Sequence, residues 1–181
     1  MSFGFNASYA GSNPAPTAFT FNGAACGDTA PPNPTGSPSP TGSPSPGPSP
    51  TGLPTGNLAL NRPVTVSSTE SPNDAGQAVD GNGGTRWSSL YADPQWIQVD
   101  LGATYPINTV RLRWEAAYGR AYQIQTSTDG TTWTPVFSTT TGDGGTDDVT
   151  PAGASGRYVR MSGTTRGTAW GYSLYEFEVY A

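Results

Sequence analysis

Carboxylates are the side chains of this sequence best suited to do chemistry, because histidine is absent and cysteine is nearly so. The chain has 181 residues, no histidine and a single cysteine, Cys26. This composition excludes Ser-His and Cys-His nucleophilic pairs, internal disulfides, and zinc sites built on several thiolates. The 13 aspartate and glutamate side chains remain for acid–base catalysis, cation binding or hydrogen bonding to a ligand.

One set of oxygen donors has a spacing that suits a hard cation. In QAVDGNGGT, residues 77–85, the donors Asp80, Asn82 and Thr85 stand at positions i, i+2 and i+5, and the intervening glycines permit a tight loop. Such ligands favour Ca²⁺ over a transition metal. The segment is not an EF-hand, since Tyr91 occupies the twelfth position counted from Asp80. Asp-Gly-Asn is also a common turn, so both interpretations stand at this point.

Aromatic residues in two loop-like segments form a second candidate group. Tyr91 lies in SSLYADPQ, and Trp170 and Tyr172 lie in the glycine-flanked segment GTAWGYS. A flat ring can stack on the C–H face of a sugar while polar groups meet its hydroxyls. Trp170 fits that role or, equally, a plug at one end of the fold. The other four tryptophans stand in strand patterns or after a turn and are expected to pack in the core: Trp87, Trp96, Trp114 and Trp133.

Three charged residues occupy similar loop positions. Glu70 lies in SSTESPND, Arg86 follows the oxygen-rich loop, and Glu115 ends a strand in RWEAAYGR. Two carboxylates about 5–5.5 Å or about 6.5–9.5 Å apart could cleave a glycosidic bond. Because nothing in the sequence indicates an enclosing cleft, we expect binding without catalysis. A loop glutamate can also be only a solvated charge.

Strict alternation of apolar and polar residues defines the elements that must position these groups. It runs through WIQVDL, VRLRW, YQIQTS, RYVRM and YEFEVY, and Asp129-Gly130 supplies a hairpin-type turn. Short period-2 segments separated by turn residues, without a helical period, predict an all-β antiparallel sandwich over residues 57–181.

The rest of the chain is organised differently. Residues 27–56 contain 10 of the 18 prolines and repeat TGSPSP twice, which predicts a solvated, polyproline-like linker able to span roughly 90 Å.

A net charge of −5 without lysine excludes a basic nucleic-acid-binding face. No apolar stretch approaches a membrane span, and the first residues lack the pattern of a secretion signal.

The ordered motifs NLALNRPVTVSST, AVDGNGGTRWSS, QWIQVDLG, YQIQTSTDGTTW, GRYVRM and GYSLYEFEVY resemble discoidin, or coagulation factor 5/8 type C, domains. Within that group they are most similar to family 32 carbohydrate-binding modules. The resemblance implies an eight-stranded, jelly-roll-like (galactose-binding-like) sandwich with ligand loops at one end. It also implies a structural Ca²⁺ ion, held by the carbonyls of Gln77 and Tyr175 and the side chains of Asp80, Asn82, Thr85 and Glu176.

The same resemblance implies a sugar site and a function. Five residues match the pattern of family 32 modules that bind chitosan, namely Glu70, Arg86, Tyr91, Glu115 and Tyr172, although Arg120 stands where a lysine is common. We therefore expect a monomeric, non-catalytic module that targets a tethered, secreted glycoside hydrolase to chitosan or glucosamine oligosaccharides. Neutral β-1,3- or α-1,3-glucans are the alternative ligands. A lipid- or protein-adhesion module is the alternative class, which the acidic loops disfavour on an anionic membrane.

Residues 1–26 resemble the end of a family 2 carbohydrate-binding module. In that family the last cysteine pairs with one near the beginning of the module, so the resemblance implies that Cys26 lacks its partner here. Because a segment this short cannot bury a core, we expect it to be disordered or loosely attached.

Overall fold

The computed structural model of the protein describes residues 19–21, 24–26 and 54–181. In the first part, two three-residue strands pair antiparallel, β1 (Phe19–Phe21) and β2 (Ala24–Cys26). The rest of the predicted remnant, and the predicted linker up to residue 53, lie outside the described residues. The assignments of these two segments therefore stay predictions.

Residues 54–181 form two antiparallel sheets, which confirms the predicted sandwich. The five-stranded sheet has the order β3-β5-β10-β7-β8 and the four-stranded sheet the order β4-β11-β6-β9. This part contains nine strands rather than the eight that the family resemblance implies. One short 3-10 helix (Ala75–Ala78) is present, and no helix in the described residues is long and apolar enough to cross a membrane. The strands are β3 (Val64–Val66), β4 (Trp87–Ser88), β5 (Gln95–Ile107), β6 (Thr109–Trp114), β7 (Gly119–Ser127), β8 (Thr134–Thr139), β9 (Thr146–Val149), β10 (Ala154–Arg166) and β11 (Ser173–Tyr180).

The core lies between the two sheets and follows the alternation of the sequence. In β5, Ile97, Val99 and Leu101 are fully buried, whereas Gln98 and Asp100 lie on the other face. The facing strand β11 contributes buried apolar residues from the four-stranded sheet. Burial of these facing apolar side chains supplies the main stabilisation of the sandwich.

The four tryptophans predicted in the core divide into two pairs. Trp87 and Trp114 are buried, as predicted. Trp96 and Trp133 are only partly buried, so the prediction was wrong for them. Trp96 alternates with the buried Ile97 and lies on the outer face of β5. There the Arg160 guanidinium lies 3.9 Å from the centroid of the Trp133 ring and 5.9 Å from that of Trp96.

The predicted turn at Asp129-Gly130 joins β7 to β8. Gly130 has φ +74°, a value that favours glycine, and the Asp129 carboxylate accepts the N–H groups of Thr131 and Thr132 at 2.7 Å each. These bonds hold the pKa of Asp129 well below its usual range. The turn therefore fixes the register of the hairpin, as the sequence indicated.

Candidate functional site

A pocket of about 430 Å³ lies where four connecting loops meet at one end of the sandwich. Its walls come from the β3–β4, β4–β5, β6–β7 and β10–β11 connections, together with the strand residues beside them. The fold brings together here all the residues predicted for the sugar site: Glu70, Arg86, Tyr91, Glu115, Trp170 and Tyr172.

Tyr91 and Trp170 form the exposed aromatic rim of this pocket. Their side chains are 47% and 58% exposed, and their ring planes meet at 85° with the centroids 5.5 Å apart. The Tyr91 hydroxyl donates a hydrogen bond to the Glu70 carboxylate, which raises the pKa of Tyr91. Of the two roles left open for Trp170, the plug is thereby excluded, because its ring lies at the surface.

The ring of Tyr172 does not form an open stacking face, and that prediction was wrong. Tyr172 is 0% exposed, and its hydroxyl donates to Asp93 Oδ1 at 2.5 Å. Burial raises the pKa of Tyr172. The ring fits against Gly163 of β10, where a Cβ atom would overlap Tyr172 Cε1. Tyr172 therefore packs beneath the pocket and supports it, and its ring is not available to stack on a ligand.

Replacing Gly163 with alanine is expected to destabilise the domain by about 1–3 kcal/mol, because the added methyl group overlaps a buried ring that cannot move aside. The melting temperature should fall by roughly 4–10 °C in a thermal unfolding experiment. Gly76→Ala is the matched control, since a Cβ atom there meets nothing within 4 Å. Equal melting temperatures for the two variants would contradict this packing.

The remaining charged residues of the pocket make few contacts with the protein. Glu115 Oε2 accepts the Ala117 N–H at 3.1 Å, and Arg86 Nε donates to Ser88 Oγ at 3.3 Å. Among the described residues, neither Glu70 nor Glu115 lies in a salt bridge with an arginine. The two carboxylates outnumber the single cation of the pocket, so its field attracts positive charge.

Asp93 and Arg166 support the pocket, although neither belongs to the predicted set of site residues. Arg166 Nε lies 3.2 Å from Asp93 Oδ2, and Arg166 Nη1 donates to the carbonyl oxygens of Ala169 and Trp170. Asp93 lies in the candidate segment SSLYADPQ and Arg166 directly precedes GTAWGYS, but nothing in either segment predicts that the two residues pair. Their pairing joins residues 73 positions apart, so only the fold shows it.

The loop predicted to hold calcium, residues 80–85, is held by hydrogen bonds to the side-chain oxygen atoms of Asp80 and Asn82. Asp80 accepts the Asn82 N–H at 2.8 Å and the Thr85 hydroxyl at 2.7 Å, and Asn82 Oδ1 accepts the Gly84 N–H at 3.0 Å. Gly81 has φ +76°, which permits this tight path. These contacts fold the loop tightly around the Asp80 carboxylate and the Asn82 amide, whose oxygen atoms are of the kind that Ca²⁺ prefers.

Glu176 of β11 is the feature that best fits a cation beside this loop. The side chain is 2% exposed, and neither carboxylate oxygen accepts a hydrogen bond of normal geometry in the described part of the chain. Burial first, and then the Asp80 carboxylate, raise the pKa of Glu176, although the nearby Gly81 N–H partly opposes this rise. Buried carboxylate oxygens without partners are costly, and a bound cation would satisfy them. Within residues 54–181 no cluster of three or more His, Cys, Asp or Glu residues occurs, so amide, hydroxyl and carbonyl oxygens would complete the set.

Comparisons with known proteins agree with this fold. The model of the F5/F8 type C family described as NedA-like, galactose-binding domain matches residues 77–161. The crystal structure of chitosan-binding module 1 from the chitosanase/glucanase of Paenibacillus sp. IK-5 is 53% identical, covering 69% of this chain and 98% of that chain with a TM-score of 0.67. Module 2 of the same enzyme, in complex with chitotriose, is 53% identical over 69% of this chain and 100% of that chain, with a TM-score of 0.67.

A curated relative is the polysaccharide lyase 8 family protein HylA of Enterococcus faecalis (strain ATCC 700802 / V583), which is 36% identical over 99 residues. The match covers 49% of this chain but only 7% of the lyase. The chain thus corresponds to a small part of that protein.

The chain therefore belongs to the family of these chitosan-binding modules, so its sandwich is a carbohydrate-binding module, and residues 77–161 match the galactose-binding domain model of the F5/F8 type C family. The solved relatives at 53% identity are named for binding chitosan, and one of them is in complex with chitotriose. The predicted family and fold class are confirmed. The predicted remnant of a second module within residues 1–26 stays a prediction.

Proposed function

We propose that residues 57–181 bind glucosamine-type oligosaccharides, such as those of chitosan, in the loop-end pocket. The observation that carries this proposal is an exposed aromatic rim, Tyr91 and Trp170, beside two carboxylates that form no salt bridge with an arginine of the described residues. The rim offers faces for sugar C–H groups, and Glu70 and Glu115 offer acceptors for a protonated amine. The chitotriose-bound relative, at 53% identity, supports the same ligand class.

Calorimetry with chitotriose and with its N-acetylated counterpart tests the role of charge. Acetylation removes the amine charge, so we expect the affinity to fall at least tenfold, which corresponds to about 1.4 kcal/mol. Added salt should weaken chitotriose binding, because the attraction between partly exposed charges is screened. An affinity that neither acetylation nor salt changes would contradict the proposal.

Neutral glucans are the second candidate ligands, and one contact favours them. Glu70 already accepts the Tyr91 hydroxyl, so part of the negative charge of the pocket is used within the protein. Carboxylates also accept hydrogen bonds from uncharged sugar hydroxyls. If laminarin oligosaccharides bind more tightly than chitotriose at equal salt, the glucan assignment replaces the chitosan one.

We further propose that this module holds an attached, extracellular glycoside hydrolase on its polysaccharide and acts as a monomer. A shallow pocket gives weak affinity by itself, and a flexible tether raises the effective concentration of the enzyme at the surface. The Pro/Ser/Thr-rich composition of residues 27–56 suits such a tether. Gel filtration, and retention of a fused enzyme on insoluble chitosan, test these statements.

We also propose that a structural Ca²⁺ ion binds beside the Asp80 loop. Its ligands would be the side chains of Asp80, Asn82, Thr85 and Glu176, with the carbonyls of Gln77 and Tyr175. The support is the pair of unsatisfied oxygen atoms of Glu176 next to the oxygen-rich loop. The ion would neutralise the buried carboxylate and tie β11 to the loop, without contacting the sugar.

A further inference from the structure

Arg166 occupies a position from which it contacts both loops that carry the aromatic rim. It is the last residue of β10, and the β10–β11 loop with Trp170 begins immediately after it. Its guanidinium reaches Asp93 in the β4–β5 loop, two residues after Tyr91, and the carbonyl oxygens of Ala169 and Trp170 at 3.2 and 3.3 Å. A single side chain therefore links the backbone of one rim loop to a carboxylate of the other.

Asp93 is itself held in place from the other side. Its Oδ1 atom accepts the hydroxyl of the fully buried Tyr172, and its Oδ2 atom accepts the Arg166 Nε–H. Because both oxygen atoms are engaged, the carboxylate has a defined orientation. Arg166 is thereby connected through Asp93 to a ring that is fixed in the interior.

Close packing limits the Trp170 loop at both ends. At Gly167 a Cβ atom would overlap the Tyr118 ring, and at Gly171 one would overlap the Ser89 carbonyl oxygen. Between these ends Trp170 is 58% exposed, so packing within the loop does not by itself fix its ring. The guanidinium bonds to the Ala169 and Trp170 carbonyls restrain the loop backbone that carries the ring, whose own contact is the edge-on packing against Tyr91.

We propose that Arg166 is a positioning residue that holds the Trp170 ring in its binding orientation, a role that rests on the proposed carbohydrate-binding function. Neither Arg166 nor Asp93 lines the pocket, so the proposed role of each is indirect. Their effect is pre-organisation, because a loop that is already ordered loses less entropy when sugar binds. The fork of guanidinium donors suits these three acceptors, whereas a lysine ammonium has no such planar geometry.

Arg166→Lys is the main test, since it keeps the positive charge and removes the forked contacts. The affinity for chitotriose, measured by calorimetry, should fall about fivefold. The Trp170 loop is then less ordered in the free protein, and it loses more entropy when the sugar binds. In a Trp170→Ala background the same substitution should change the affinity less than about twofold, because the residue that it positions is gone. Unchanged affinity of Arg166→Lys, or an equal loss in both backgrounds, overturns the proposal.

A spectroscopic measurement separates this proposal from the sugar specificity. In protein labelled with 5-fluorotryptophan, the Trp170 resonance is assigned by its absence in Trp170→Phe. Arg166→Lys should shift and narrow this resonance in the free protein, and an unchanged resonance overturns the positioning role. This result does not depend on whether chitotriose binds, whereas failure of the wild type to bind any oligosaccharide overturns the proposed function.

Two further variants control for folding and for charge pairing. Arg157→Lys breaks a comparable, partly exposed Arg–Asp pair with Asp100, near the opposite end of the same strand and away from the pocket. It should leave the affinity and the Trp170 resonance unchanged; a loss equal to that of Arg166→Lys overturns the proposal. Asp93→Asn keeps an acceptor for Tyr172 but weakens the bond to Arg166, so it should reproduce a smaller loss if Arg166→Lys proves unstable.

Discussion

Replacing Tyr91 with alanine is expected to weaken chitotriose binding about 30-fold, or by about 2 kcal/mol. The substitution removes the ring that offers a stacking face and also the neighbour against which Trp170 packs edge-on. It releases the Glu70 carboxylate as well, which then loses its defined position. Because the Tyr91 side chain is 47% exposed, the melting temperature should change little.

Two companion variants separate the contributions of Tyr91. Tyr91→Phe keeps the ring but not the bond to Glu70, so it should lose only about two- to threefold in affinity if stacking dominates. Leu90→Ala is the matched control, since Leu90 is the adjacent exposed apolar residue, 53% exposed, and does not border the pocket. Calorimetry with chitotriose decides the outcome. If Tyr91→Ala binds as tightly as Leu90→Ala, the aromatic rim is not the sugar site.

Removing Ca²⁺ with a chelator is expected to destabilise the domain, because it leaves the buried Glu176 carboxylate without a partner. Calcium at 100 times its dissociation constant would add about 2.7 kcal/mol, or roughly 10 °C in melting temperature. Differential scanning calorimetry with and without chelator measures this shift. A domain that melts at the same temperature in both solutions does not hold the ion.

Glu176→Gln distinguishes a calcium ligand from a carboxylate that is buried for another reason. The neutral amide avoids the cost of burying an unpaired charge, so in chelator the variant should melt above the wild type. It should also lose the response to calcium. Glu178→Gln is the matched control, because Glu178 lies two residues along β11 and interacts instead with Arg111 and the Tyr180 hydroxyl. If Glu176→Gln responds to calcium as strongly as the wild type, Glu176 is not a ligand.

The sequence predicted that Tyr91 and Glu176 each lie close to other candidate site residues. It did not predict how far each side chain is buried or which atoms surround it. The residues predicted for the sugar site come from four separate connections, and the fold brings all of them to one pocket. Family resemblance gave this set, because the order of the motifs determines which loops share an end of the sandwich. Whether a given ring faces solvent or the core depends on atoms from other strands.

Tyr172 and Trp170 illustrate this limit. They lie two residues apart in one glycine-flanked segment, and no periodicity in that segment assigns one ring to the interior. The space left by Gly163 on β10 accepts the Tyr172 ring, and Trp170 is left at the surface. Trp96 differs, because its alternation with Ile97 already placed it on the outer face of β5. For Trp96 the alternation of the sequence therefore already indicated exposure, although core packing was predicted.

By itself the sequence determined the all-β architecture, the apolar faces of the main strands and the Asp129-Gly130 turn. These features depend on interactions between residues close along the chain, such as alternation along a strand and the conformational freedom of glycine. Tertiary structure alone decided the burial of Glu176, since alternation places it on the same side of β11 as the half-buried Glu178. It also decided the pairing of Arg166 with Asp93. Both features arise from segments far apart in sequence, whose proximity follows from the packing of the whole sandwich.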